Sequence, residues 1–129
     1  MEKISSVIKI RMSHEGALCN GTLITKAHII HIFGDAATEI SIKYDGDEGL
    51  FLRYNEIEFF ESVYVGDYIE VYGELIAVGN TSRKMEFFAK KTIATRPDRC
   101  ASAADYLEEP VLIAHAIAIG VTLKELKRK

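Results

Sequence analysis

The chain of 129 residues has little of several features that would point to particular classes of protein. Its two cysteines, Cys19 and Cys100, lack the spacing of metal ligands, so neither a disulfide framework nor a metal site is expected. A net charge of −3 provides no basic excess to hold a phosphate backbone, which argues against nucleic acid as the main partner. No apolar run of about 18 residues is present, so no membrane span is expected.

The sequence also lacks the basic and apolar regions of a secretory signal at its start, and it contains no internal repeat or linker. An apolar content of 48% is ordinary for a globular protein. We therefore expect one soluble, cytoplasmic domain that spans residues 1–129 and buries its own core.

One long segment, Gly21–Ile40, has the pattern of a helix. Its apolar residues recur at spacings of three and four positions and occupy most of its circumference, which is typical of a helix buried in a core. Asn20 or Thr22 is the predicted N-cap. The remaining polar residues form a narrow stripe of His28, His31, Asp35 and Thr38 or Glu39.

Most of the remaining chain is rich in β-forming residues or alternates between apolar and polar ones, as strands do. The predicted strands are Ser5–Met12, Leu50–Phe60, Tyr68–Val78, Arg83–Thr95 and Val111–Thr122, with a hairpin connection at Gly79–Asn80. Ser102–Leu107 is predicted to form a short helical turn, and the basic tail Lys124–Lys129 is predicted to be frayed. This order of elements predicts an α+β fold, in which a curved antiparallel sheet wraps around one long central helix.

This order resembles the hot-dog fold, and several sequence blocks resemble the 3-aminobutyryl-CoA ammonia lyase family within it. The matching blocks are Arg11–Ser13, Phe33–Asp35, Ala37–Glu39, Asp45–Phe51, Gly66–Asp67, Val78–Phe87, Arg96–Asp98, Ser102–Asp105 and Glu109–Pro110. The resemblance implies a homodimer or a higher dimer-based oligomer that handles a short acyl-CoA. In lysine fermentation this family removes ammonia from a 3-aminoacyl-CoA to give crotonyl-CoA, with coenzyme A as part of the substrate and no other cofactor implied.

The loop before the helix departs from the family pattern. Where the family reads Asp-Ala-His-Tyr-Gly-Gly, this chain has Gly16–Gly21, without the acid, the histidine and the tyrosine. At the start of the helix, the pattern Asn-Leu-Val-Asp-Gly-Ala-Arg is replaced by Thr22–His28, which removes a second acid. A catalytically inactive subunit or paralogue of the lyase is therefore one alternative that the sequence leaves open.

Elimination of ammonia needs a base for the proton next to the thioester and a donor for the developing enolate oxygen. Asp35 is the candidate acid/base, because it follows Gly34 in an apolar stretch where partial burial would suit it to this role. Glu39, one turn further on, is a second candidate. His14 and Glu15 are candidates to replace the lost loop acid and histidine. The alternative for Asp35 is a structural hydrogen bond at a dimer contact, and for the others a solvated position.

Substrate contacts are predicted at three places. The helix N-terminus near Gly21 and Thr22, with Asn20, would supply backbone N–H donors for the thioester oxygen. The turn residues Asn80, Thr81, Ser82, Arg83 and Lys84 offer donors suited to a CoA phosphate or pantetheine arm, and Arg96 adds to them. The alternative is that these basic residues are ordinary surface.

Two other readings follow from the same residues. His28, His31 and Asp35 share a helical face and could ligate a metal, but no second ligand cluster accompanies them, so no metal site is predicted. A thioesterase, in which Asp35 or Glu39 activates water, is the enzymatic alternative to the lyase.

Overall fold

The computed structural model describes residues 3–18 and 21–129. The strands are β1 Ser5–Arg11, β2 Leu50–Phe59, β3 Tyr68–Val78, β4 Ser82–Thr95 and β5 Ala104–Val121, and the long helix α1 is Lys26–Asp45. Two 3-10 turns, His14–Gly16 and Lys124–Leu126, complete the elements. The strands form one antiparallel sheet in the order β1-β3-β4-β5-β2. The predicted α+β arrangement of one sheet and one long helix is confirmed.

Helix α1 begins later than the sequence pattern predicted. Its N-cap is Thr25, whose hydroxyl accepts a backbone N–H of the first turn at 3.1 Å. The predicted cap Thr22 instead lies in the preceding loop, and Asn20 lies outside the described residues. The apolar residues before Thr25 are used in an antiparallel bridge between Ala17 and Ile24, which explains why a helical spacing there produced no helix.

The helix also ends later than predicted. The chain stays helical past Ile40 to Asp45 and stops at Gly46, whose φ of 74° lies in the left-handed region. Glycine adopts this conformation without the steric penalty of a Cβ, and the Gly46 N–H closes the last turn on the Ile42 carbonyl. A glycine C-cap therefore sets the boundary that periodicity alone did not locate.

One side of α1 packs against the sheet. At the centre of this core, the rings of Phe33 and Phe87 stack with their centroids 5.4 Å apart. Gly73 on β3 permits this packing, because a Cβ there would lie 2.8 Å from the Phe87 ring and 3.2 Å from Ile40. The small residues of β5 that are buried in the same core are Ala114, Ala116 and Ala118. The opposite side of α1 is exposed, so the helix is not buried on all sides.

Strand β5 begins at Ala104, so the predicted helical turn Ser102–Leu107 is wrong. The first three residues of β5 pair with Ile93–Thr95 at the end of β4. Pro110 lies further along, in a stretch where the β4–β5 register shifts. Since proline has no N–H to give to a ladder, such an irregular stretch is where a strand tolerates it. The residues from Ala104 onward that suggested a helical turn therefore lie in a long strand.

The basic tail, which was predicted to be frayed, docks against the end of α1. Lys127 Nζ lies 2.8 Å from Asp45 Oδ1, and the Arg128 N–H donates to the Asp45 carbonyl at 2.7 Å. On the other side, Arg83 Nε and Nη2 donate to the two carboxylate oxygens of Asp45 at 2.8 and 2.9 Å. The side chains of Arg83 and Asp45 are 3% and 0% exposed. We call Asp45, Arg83 and Lys127 the Asp45 cluster.

The Asp45 cluster is expected to make the fold sensitive to acid. Burial alone would raise the pKa of Asp45, but the hydrogen bonds from Arg83 and Lys127 outweigh it and hold this pKa well below its ordinary value of 3.8. The unfolded chain therefore binds this proton more readily than the folded chain does. The stability that ionised Asp45 contributes is complete well above pH 3.8 and is lost as the pH falls below it.

Urea unfolding between about pH 6 and pH 2 measures this effect. The wild-type midpoint is expected to fall in the acid part of that range, and Asp45→Asn should start lower and change less with pH. Equal pH dependence in the two proteins would contradict the assignment to Asp45.

Candidate active site

A cleft of about 330 Å³ lies between the exposed side of α1 and strand β2. The helix contributes Ile30, His31, Gly34, Asp35 and Thr38 to its wall. The opposite wall includes Glu48, Leu50, Phe51 and Tyr54, where the chain enters β2. The cleft combines apolar surface with ionisable groups on both sides, as small-molecule sites commonly do.

The candidate base Asp35 lies on the helix wall of this cleft. Its side chain is 63% exposed within the single chain, so the partial burial expected from the sequence is not supplied by this chain itself. The apolar neighbours Phe33 and Ala36 face the core, whereas Asp35 lies on the other side of the helix. Asp35 Oδ2 lies 3.8 Å from Nε2 of His31, one turn earlier. The structure thus brings a carboxylate and an imidazole together in the cleft.

Glu39 does not line the cleft. Its carboxylate accepts a hydrogen bond from the Ser6 hydroxyl on β1 and lies 3.6 Å from Lys43 Nζ. These contacts tie the helix to the sheet edge one turn beyond Asp35. The structure therefore separates the two carboxylates that the sequence offered as acid/base candidates and gives Glu39 a structural contact.

His14 and Glu15 lie in the exposed 3-10 turn before the helix, and neither lines the cleft. The next residue, Gly16, packs against His28, because a Cβ at Gly16 would lie 2.5 Å from the His28 ring. The family pattern has an acid and an arginine at these two positions. Because position 16 is a glycine, the His28 ring can occupy the space that a side chain there would need.

The loop before the helix engages one of the predicted N–H donors, that of Gly21. The Gly21 N–H donates to a carbonyl within the loop at 2.9 Å, and the Thr22 carbonyl accepts an N–H from a neighbouring segment at 2.8 Å. Because α1 begins at Lys26, the free N–H groups of its first turn start there and not at Gly21. The predicted start of the helix at Gly21 is therefore wrong, and the oxyanion donor stays a prediction. The candidate Asn20 lies outside the described residues.

The second acid of the family pattern, which this chain lacks, corresponds to Thr25. Thr25 is the N-cap of α1, and aspartate and threonine both serve well in that place. Capping therefore explains why this replacement is tolerated by the fold.

The residues of the turn between β3 and β4, which were predicted to contact CoA, fall into two groups. The predicted CoA contact of Arg83 is not supported, because its side chain is buried. Four of its five N–H groups donate to Asp45 and to two backbone carbonyls. It therefore has little left to offer a phosphate. The other predicted residues are exposed at Asn80 and Lys84 and half-buried at Thr81 and Ser82.

Arg96 lies at the turn between β4 and β5. Hydrogen bonds to Asp98 at 2.9 Å and to Asp105 at 2.7 Å raise the pKa of its guanidinium and balance its charge. Strand β4 runs between this turn and the one that carries Asn80 and Lys84. The structure therefore does not bring Arg96 together with the other predicted CoA contacts.

Two residues of the cleft, Glu48 and Tyr54, were not predicted. Burial raises the pKa of the Tyr54 hydroxyl to about 12, so it stays protonated at neutral pH and can donate a hydrogen bond. Their place in the cleft follows from the pairing of β2 with β5, which no local pattern indicates. The available signal was that Glu48 lies in the block Asp45–Phe51, which resembles the family.

The described ranges, 3–18 and 21–129, contain no group of three or more His, Cys, Asp or Glu side chains arranged to hold a metal ion. Within the same ranges, no helix is long and apolar enough to cross a membrane. The alternative reading of His28, His31 and Asp35 as metal ligands is therefore not supported.

No protein-family model matches the chain. The chain is 48% identical over 126 residues to 3-aminobutyryl-CoA ammonia lyase of Acetoanaerobium sticklandii, which covers 98% of this chain and 100% of the relative. The solved structure of β-alanyl-CoA:ammonia lyase from Clostridium propionicum matches with a TM-score of 0.93 and 35% identity, covering 99% of this chain and 91% of the other. A hexameric hotdog fold thioesterase of Campylobacter jejuni matches with a TM-score of 0.74 and 18% identity, covering 95% and 86%. The hot-dog fold predicted from the sequence is confirmed.

Proposed function

Because the chain belongs to the 3-aminobutyryl-CoA ammonia lyase family, we propose that it catalyses the reversible loss of ammonia from a 3-aminoacyl-CoA, such as 3-aminobutyryl-CoA, to give the enoyl-CoA. The observation that carries this proposal is the 48% identity to such a lyase along nearly the whole chain. Coenzyme A enters only as part of the substrate, and no other cofactor is proposed. The proposal includes a cytoplasmic setting in amino-acid fermentation.

The cleft supplies groups suited to this elimination. Asp35 would remove the proton from the carbon next to the thioester. The electron pair of that C–H bond forms the C=C bond, and the C–N bond breaks to release ammonia. The Tyr54 hydroxyl, which lines the same cleft, is the proposed donor to the thioester oxygen.

The size of the cleft fits part of such a substrate. About 330 Å³ can hold a short acyl group and the end of the pantetheine arm, but not the whole of coenzyme A. The nucleotide portion would extend over the surface, where Asn80, Thr81, Ser82 and Lys84 are the proposed contacts.

An assay of the purified protein with a panel of acyl-CoA thioesters tests the function. Ammonia, free CoA and enoyl absorbance are measured on the same samples. Ammonia release from 3-aminobutyryl-CoA with a matching rise in enoyl absorbance is the expected result. Free CoA from 3-aminobutyryl-CoA or crotonyl-CoA, with the acyl chain unchanged, would instead identify a thioesterase.

A catalytically silent protein is the remaining alternative, because the loop lacks the family's acid, histidine and tyrosine. Its test is a variant that carries Gly16→Asp, Leu18→His and Cys19→Tyr. His28→Arg must accompany these changes, since the His28 ring occupies the space beside Gly16. Activity that appears only in this variant would support the silent alternative, and turnover by the unaltered protein would exclude it.

The edge strand β2 is the proposed interface of a homodimer. Leu50 and Leu52 are 63% and 57% exposed on this strand, and β2 pairs with β5 on one side only. A strand with unpaired N–H and C=O groups and apolar side chains is a ready partner for a second copy. The hexameric thioesterase of Campylobacter jejuni shows that this fold supports oligomers.

Leu52→Lys is expected to convert the dimer to monomer, because a lysine on an edge strand opposes strand pairing. Sedimentation velocity would then report about half the wild-type mass. Val7→Lys on β1, the other edge strand, is a matched control, since Val7 is 51% exposed. An unchanged mass in Leu52→Lys would contradict the interface.

A further inference from the structure

His31 carries the only basic side chain among the described residues that line the cleft. It lies one helical turn before Asp35, so the two side chains project on the same side of α1. The distance of 3.8 Å between His31 Nε2 and Asp35 Oδ2 is longer than a direct hydrogen bond. A small rotation of either side chain, or one bridging water, would complete a path for a proton between them.

We propose that His31 is the proton relay of Asp35, carrying the proton that Asp35 removes from the substrate to the departing ammonia. This inference rests on the proposed lyase function.

The steps balance in atoms and charge. Asp35 takes the proton from the carbon next to the thioester, the C=C bond forms, and neutral ammonia leaves from what was the substrate ammonium. The protonated Asp35 then gives its proton to His31, which becomes imidazolium. His31 passes that proton to ammonia, so the products are the enoyl-CoA and ammonium, and both side chains return to their starting states.

The surroundings of His31 suit this role. Its side chain is 72% exposed, so it can meet a departing molecule and solvent, whereas the Glu86-bound His115 is 23% exposed. The ionisable groups around it are Asp35 and His28 on α1 and Glu48 and Tyr54 on the facing wall. An imidazole has two ring nitrogens, so it can accept a proton at one and donate a proton from the other.

The test uses His31→Ala in the full chain, with ammonia release from 3-aminobutyryl-CoA as the readout. We expect kcat to fall about 100-fold, the lower end of the range for lost acid–base groups. Free imidazole in the buffer should restore part of the rate, because the exposed site leaves room for it. The shape of the pH dependence of kcat should also change in the variant, because a proton-transferring group is gone.

His115→Ala is the matched control. His115 also pairs with a carboxylate, its Nε2 lying 2.7 Å from Glu86 Oε2, but on strands β4 and β5 and outside the cleft lining. This variant should keep wild-type kcat and show no response to imidazole.

The possible failures are distinguishable. If the wild-type protein releases no ammonia, the proposed function fails before any variant is made. If the wild type is active and His31→Ala matches it, the relay alone is overturned. The relay is also overturned if His31→Ala is slow, imidazole does not restore its rate and its pH profile keeps the wild-type shape. A merely structural role of His31 would give that result.

Discussion

Asp35→Asn is expected to lower kcat for ammonia release by about 10²–10⁴-fold, because the amide cannot take the proton from the substrate. The fold should be retained, since the Asp35 side chain is 63% exposed and outside the core. Steady-state kinetics with 3-aminobutyryl-CoA measure the effect, and KM should change much less than kcat because the shape of the cleft wall is preserved.

Glu125→Gln is a suitable control for Asp35→Asn. Glu125 is an exposed carboxylate in the 3-10 turn Lys124–Leu126 and does not line the cleft, so the same kind of change there should leave kcat unaltered. Equal activity of Asp35→Asn and the wild type would remove Asp35 from the mechanism. A loss of activity in both variants would point to net charge and not to the position of Asp35.

Arg83→Met is expected to reduce the free energy of unfolding by about 3–5 kcal/mol, the usual cost of breaking a buried ion pair from one side. Asp45 would then remain fully buried with Lys127 as its remaining charged partner in the Asp45 cluster. Urea unfolding at neutral pH measures the change through the midpoint and slope.

Removing both charges separates the ion pair from simple packing. The double variant Asp45→Asn with Arg83→Met should be more stable than Arg83→Met alone, because no buried carboxylate is left without its partner. Arg99→Met is the control, since Arg99 is exposed in the turn between β4 and β5 and should change stability by less than about 0.5 kcal/mol. If Arg83→Met behaves like Arg99→Met, the Asp45 cluster is not a major source of stability.

Local patterns located most of the elements of this fold. Alternation placed β3 and β4 within about a residue of their observed bounds, because each strand has one buried face and one exposed face. The helix was found but misplaced, since the apolar spacing continues through residues 21–24, where the chain makes a bridge. Only the Thr25 cap and the Gly46 turn mark the true ends of the helix. Similar residues nearby carry the same capping signals, so the sequence alone does not select these two.

Long-range contacts explain what the sequence did not reveal about the site. Arg83 looked like a phosphate ligand because basic turn residues usually face solvent, and its partner Asp45 is far away in the chain. Tyr54 reached the cleft only through the pairing of β2 with β5. The sequence block around Asp35 identified it as a candidate acid/base. Its exposure was not predicted, because it depends on which side of α1 packs against the sheet.

The sheet order has a consequence for synthesis on the ribosome. Strand β2 is made directly after α1, yet its pairing partner β5 is made only after β3 and β4. Until then a nascent chain carries an apolar strand without a ladder, which is the kind of segment that chaperones bind and that aggregates when left exposed. Since β2 also forms one wall of the cleft, the candidate active site can assemble only after β5 has emerged, whereas β1, β3 and β4 can already pair with one another.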